Sequence, residues 1–225
     1  MTDIDYSIIV KIITWAPGVI FAITLHEWAH GFMAHRFGDP TPRVMGRLTL
    51  NPLPHIDLVW TILIPGLMLV TSLLTTGQPF VFGGAKPVPV NPRNFRGAPR
   101  MAMFWVAAAG PMMNLILASL CALSFHIIVF LPDYFYEPIG HMLIAAIQMN
   151  VLLAVFNLFP LPPLDGGRMA VAVARPPVDR WLSYLEPLGL PIIMVLAFSG
   201  GLGKVIFPIL VMFNMFFLEM AGLFV

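Results

Sequence analysis

Six apolar stretches, each about as long as a bilayer is thick, limit what this chain can fold into more than any other feature. A spanning helix needs about 20 predominantly apolar residues. The runs at about 7–37, 57–76, 100–131, 137–158, 180–198 and 203–224 meet that need. Only 10% of the residues are charged and 59% are hydrophobic, whereas a soluble domain carries roughly 25% charged residues. The expectation is an all-α integral membrane protein of about six transmembrane helices, forming a single polytopic domain over 1–225. A net charge of +1, with no basic tract interleaved with aromatics, argues against a nucleic-acid partner. Cys121 is alone and lies in an apolar run, so no disulfide framework is expected. The opening MTDIDY is acidic and lacks the basic region and cleavage site of a signal peptide, so the first run is read as a retained helix.

The basic residues orient the bundle. Ten of the twelve fall in three clusters: Arg36, Arg43 and Arg47; Lys86, Arg93, Arg96 and Arg100; and Arg168, Arg175 and Arg180. The connection near Asp133 and Glu137 has none. The positive-inside rule puts the three clusters in the cytoplasm and that connection outside. Two cytoplasmic loops then flank the run at 57–76. Either that run is a hairpin broken at Pro65-Gly66, or it spans and FVFGGAKPVPV threads back through the protein. Its length favours the second option. Both options embed non-helical, extended or β-like chain near the site, which is tolerated only where protein or a wet cavity surrounds it.

LHEWAH, Leu25 to His30, closes the first run. It fits His-Glu-x-x-His, a motif that chance would place about 0.003 times in a chain of this composition. Residues i and i+4 share a helix face, so His26 and His30 can present imidazoles to one metal. Glu27 is placed to take a proton from a metal-bound water and pass it to the leaving amine. A catalytic zinc needs a third protein ligand and an open position. NLFPLPPLDGGR offers Asp165, with the prolines and the Gly166-Gly167 pair breaking the helix and allowing a close approach. His35, His55, His126 and Glu186 are weaker candidates, and His126 and His141 read as packing or interface residues.

LHEWAH on a spanning helix, AGPMMN in a later one and NLFPLPPLDGG ending the next resemble the site-2 protease family of intramembrane zinc metalloproteases. FGGAKPVPVNPRNFR and NPLPHID resemble its small prokaryotic branch without a PDZ domain. The resemblance covers roughly residues 18–170. It implies a catalytic core over about 7–170, accessory helices over about 178–224, and one Zn2+ per chain on His26, His30 and Asp165 with Glu27 as base. It also implies that Asn157 and Asn114 sit near the substrate or the oxyanion and that His55 lines the site. Where the branch carries a bulky aromatic before AKPVPVNP, this chain has Gly83-Gly84, which reshapes whatever the embedded segment contacts.

The function expected is an intramembrane zinc endopeptidase, cutting a membrane protein or signal-peptide remnant near the cytoplasmic face of a prokaryotic plasma membrane. An extended edge at Ala85 to Val90 can pair with an unwound substrate. The alternatives are a non-proteolytic metal-binding regulator of the same fold, a transporter using an ionisable path, and a zinc protease with Glu186 or Glu219 as third ligand. A base at Glu27, ionisable groups gathered at one depth and the local DGG context count against these in turn. Nothing names a substrate, an oligomeric state or a gating partner.

Overall fold

The computed structural model describes residues 3–76 and 83–223. Its helices, in chain order, are α1 (Asp3–Arg36), α2 (Thr41–Val44), α3 (Ile64–Thr76), α4 (Pro99–Ile128), α5 (Asp133–Asn157), α6 (Asp165–Val173), α7 (Val178–Tyr184), α8 (Glu186–Phe198) and α9 (Gly201–Met220). Among the described residues no strand is present.

Among the described residues four helices are long and apolar enough to cross a membrane: Val10–Arg36 of α1, α4, α5 and α9. The pair α7 and α8 makes a fifth only if counted as one span bent by 68°. Four or five spans are thus seen among the described residues where six were expected. The run at 180–198 breaks at Leu185, two residues before Pro187, and the run at 57–76 begins with the six-residue π-helical turn Leu58–Leu63. That turn opens on Asp57, whose carboxylate accepts the N–H groups of Val59 and Trp60 at 2.9 Å. The helix then continues through Pro65-Gly66 to Thr76 with no hairpin at that point. Pro65 has no N–H to give the preceding turn, and the carbonyl of Trp60, five residues earlier, instead accepts the N–H of Gly84 at 3.0 Å.

α4 lies at the centre. Half of its most apolar 18-residue window is buried inside the molecule, against 11% for α9. α4 packs against α1, α5, α6 and α9. Helices in lipid gain no hydrophobic drive from meeting one another, so close approach relies on small residues. Ala107, Ala108, Ala109 and Gly110 supply them on α4 and are all buried. Gly18 of α1 does the same against α5: a Cβ there would lie 3.0 Å from the backbone of Ala146. A second layer is larger and apolar, with Ile147 and Val151 of α5, Ile193 of α8 and Ile206 and Phe217 of α9 around Ala118 and Ala122. The outer face of α9 exposes Phe207, Met212 and Phe216, as a surface against acyl chains would. His126 bonds across to the carbonyl of Met220 at 2.9 Å, the helix-interface role expected of it.

The segment expected to be embedded is non-helical where it is described and, among the described residues, belongs to no sheet. Residues 77–82, including the FVF of FVFGGAKPVPV, lie outside the described residues. Residues 83–91 are non-helical and held along one edge. Gly84 N–H reaches Trp60 O, Lys86 N–H reaches His55 O at 2.9 Å, and Val88 N–H reaches a carboxylate oxygen of Glu27 at 2.9 Å. Arg47 donates to the carbonyls of Lys86 and Pro87 at 3.3 Å. The far end is fastened by Asp39, whose side chain is completely buried. It accepts from Thr41 N–H, Thr41 Oγ1, Asn91 N–H and Asn94 Nδ2 at 3.1, 2.6, 2.7 and 2.8 Å. Burial alone would raise the pKa of this carboxyl. The donors from Asn94, Thr41 and Asn91 oppose it and hold the group below its ordinary value.

Candidate metal centre

α1 presents His26 and His30 on one face, one turn apart, with ring centroids 4.7 Å apart and planes nearly perpendicular. Their Nε2 atoms lie 3.1 Å from one another. Asp165 arrives from the first turn of α6, its Oδ2 3.3 Å from His26 Nε2 and 3.2 Å from His30 Nε2. Among the described residues these three form the one group able to hold a metal ion, with ligand atoms all within 4.8 Å.

The neighbours decide which ring nitrogens carry protons. His30 Nδ1 sits 2.7 Å from the carbonyl of Val106, which can only accept, so Nδ1 bears the hydrogen. His26 Nδ1 sits 2.6 Å from Asn114 Oδ1 and is likewise the donor. In the neutral imidazoles both Nε2 atoms are then lone-pair donors. They face each other and a carboxylate oxygen that has no hydrogen-bond partner of its own. Three electron-pair donors converging in a buried space repel unless a cation lies between them. Two imidazole nitrogens and a carboxylate suit zinc and leave a position open. The space is also kept clear from behind: a Cβ on Gly110 of α4 would lie 2.4 Å from His30 Nε2 and 2.7 Å from His26 Nε2.

Asp165 reaches this place through its own neighbours. The helix break falls in residues 158–164, on the expected prolines Pro160, Pro162 and Pro163, and the two glycines lie just past it. Gly166 and Gly167 are helical and buried; a Cβ on either would strike the turn above, 2.1 Å from Leu158 O or 2.0 Å from Pro162 N. Their missing side chains let α6 start against the end of α5. Its other end is held by Arg100 of α4, whose guanidinium donates to the carbonyls of Val171, Ala172 and Ala174 and pairs with Asp179 at 3.2 Å. Carbonyls left over at a helix C-terminus take such donors well.

The remaining expected residues fall less centrally. Asn114 is completely buried and bonds His26, so it stands behind that imidazole. Asn157 ends α5 and turns its amide nitrogen back to Leu153 O at 2.9 Å. His55 is buried beside the extended segment, its Nε2 3.1 Å from Thr49 O, and is not part of the metal group. Glu186 pairs with Arg168 at 3.8 Å on an exposed surface. Residues that sequence reasoning missed are Asp39, Gly110 and Asn150. The last bonds Asn114 at 2.8 Å.

Comparison with known proteins agrees with this geometry. The family model described as Peptidase family M50 matches residues 15–134 and 132–196. Two relatives are each named "Putative zinc metalloprotease". YwhC of Bacillus subtilis is 39% identical over 200 residues, covering 85% of this chain and 83% of the relative. Rip2 of Mycolicibacterium smegmatis is 30% identical over 200 residues, covering 87% of this chain and 71% of the relative. No solved structure matches. A match over most of the chain, with a cluster suited to zinc, makes this multi-helix protein a member of Peptidase family M50, the site-2 protease family of zinc metalloproteases.

Proposed function

We propose that this chain is an intramembrane zinc endopeptidase in which His26, His30 and Asp165 hold the metal and Glu27 is the general base. The observation that carries the reading is the convergence of three electron-pair donors in a buried space beside a fourth ionisable group. Zinc supplies Lewis acidity there, lowering the pKa of water and polarising a carbonyl.

Glu27 follows His26 in the chain, so its carboxylate projects from the same turn of α1. One carboxylate oxygen takes the Val88 N–H. This leaves the other to remove a proton from the attacking water and return it to the leaving amine. That anchor also couples the base to the extended segment along which a substrate would lie. Within 85–90, Ala85 and Val90 keep backbone N–H groups outside these bonds among the described residues, and Pro87 and Pro89 have no N–H to offer. A substrate strand would therefore pair mainly by donating to carbonyls such as those of Ala85 and Pro89. The three basic clusters all sit at the end of the bundle that carries the metal group, which supports a cytoplasmic depth for the site in a prokaryotic plasma membrane. Substrates of the class expected are membrane-embedded segments that unwind locally.

The test is zinc content of the purified protein in detergent, for wild type, Asp165→Ala and Glu27→Gln, with cleavage of a single-pass model substrate read in the same samples. One zinc per wild-type chain, less in Asp165→Ala, and full zinc with no cleavage in Glu27→Gln is the expected result. Equal zinc in all three with no Glu27-dependent cleavage would instead favour a metal-binding regulator.

A further inference from the structure

We propose that Asn150 is a positioning residue for the metal site, acting through Asn114 to set which nitrogen of His26 is free to bind metal. The inference rests on His26 being a zinc ligand, as read above.

Asn150 lies on α5, 2% exposed, and Asn114 on α4, fully buried. Burial keeps both from exchanging these partners for bulk solvent. Asn150 Nδ2 donates to Ala146 O at 2.8 Å, which turns Oδ1 toward α4. That oxygen accepts from Asn114 Nδ2 at 2.8 Å, and the same nitrogen also donates to Ala22 O of α1 at 3.2 Å. Asn114 Oδ1 is thereby aimed at His26 Nδ1, 2.6 Å away. Carbonyl oxygens only accept, so the chain of bonds has one consistent direction. Reversing Asn114 would set its oxygen against Ala22 O and Asn150 Oδ1.

Without Asn150, one 3.2 Å bond to Ala22 O would remain to hold the Asn114 amide. The reversed amide would then offer an N–H to His26 Nδ1 and stabilise the tautomer protonated at Nε2. The nitrogen that should face the metal would carry a hydrogen. His30 has no share in this relay, since its Nδ1 is fixed by the carbonyl of Val106. Groups that hold a ligating histidine from behind typically contribute 10–100-fold to metal affinity when removed. The relay also crosses from α5 through α4 to α1, so it ties the ligand's orientation to the packing of three helices.

The experiment uses full-length protein in detergent, with 15N-labelled histidine, and compares wild type, Asn150→Leu and Asn150→Asp. The metal-free form is read by NMR for the tautomer of each imidazole, and zinc affinity is measured by competition with a chelator. In wild type both His26 and His30 should be protonated at Nδ1. Asn150→Leu should give His26 an Nε2–H population, leave His30 unchanged and weaken zinc binding by about 10–100-fold. Asn150→Asp keeps an acceptor for Asn114 and should retain wild-type affinity. If Asn150→Leu does not fold, Asn150→Ala takes its place with the same expectation. An unchanged His26 tautomer with zinc affinity within about twofold of wild type would overturn the proposal, as would equal changes at both histidines. A wild-type protein that binds no zinc would instead overturn the metal reading itself.

Discussion

Replacing Gly110 with alanine drives a methyl group against the two imidazole nitrogens proposed to bind the metal. The added Cβ would lie 2.4 Å from His30 Nε2 and 2.7 Å from His26 Nε2, with His26 Cε1 at 2.6 Å. Ordinary van der Waals contact begins near 3.4 Å, so the two nitrogens must retreat by 3.4 − 2.4 = 1.0 Å and 3.4 − 2.7 = 0.7 Å. Zinc–nitrogen bonds are about 2.0–2.1 Å long and tolerate deviations of about 0.2 Å. Retreats several times that tolerance should lower zinc affinity by at least about 100-fold, or ~2.8 kcal/mol. The metal-free fold should survive, because an overpacked site costs about 1–3 kcal/mol and domains hold roughly 5–15. Gly140→Ala is the control: its Cβ would meet Phe125 at 3.6 Å, an ordinary contact on a helix. The assay is zinc stoichiometry after dialysis together with thermal unfolding in detergent. Wild-type zinc affinity in Gly110→Ala would refute the placement of the metal between the two imidazoles.

Three further outcomes follow from the same geometry. Asp39 has a lowered pKa, so its contribution to stability is present above the unfolded value of 3.8 and is lost as pH falls through the lower folded value. Thermal unfolding measured between about pH 6 and pH 3 should therefore decline more steeply in wild type than in Asp39→Asn; parallel profiles would count against the carboxylate's anchoring role. Val88→Pro removes the N–H that holds Glu27 and should lower kcat by about tenfold or more while zinc content stays at one per chain. A variant with unchanged kcat would show that the anchor is dispensable. Restoring zinc at about 100 times its Kd should stabilise metal-stripped wild type by ~2.7 kcal/mol and Asp165→Ala by much less, read as a shift in Tm.

What could be read from the sequence is what local spacing and local composition dictate. The four-residue interval puts His26 and His30 on one face of any helix, whatever surrounds it. The apolar runs require helices in lipid because backbone polar groups there must pair within their own segment. The prolines Pro160, Pro162 and Pro163 already marked the helix break, and Gly166 and Gly167 after them a place where chain could approach closely; the structure keeps the glycines inside the next helix. Breaks set by neighbours were harder to see. The runs at 57–76 and 180–198 have spanning composition, yet a π-helical turn and a 68° bend keep them from being plain spans.

The sequence by itself determined the membrane-type composition, the two histidines on one helix face and the glutamate between them, because each of these is settled within a few residues. Tertiary structure alone decided that Asn114 lies behind His26, that Asn150 lies behind Asn114, that Gly110 clears the metal's place and that Asp39 fastens the segment reaching Glu27. Those pairs are 88, 36, 61 and 52 residues apart where a hydrogen bond joins them. No spacing rule links such positions: which polar group meets which follows from how α1, α4 and α5 pack, and buried donors and acceptors must then pair with whatever that packing brings within reach.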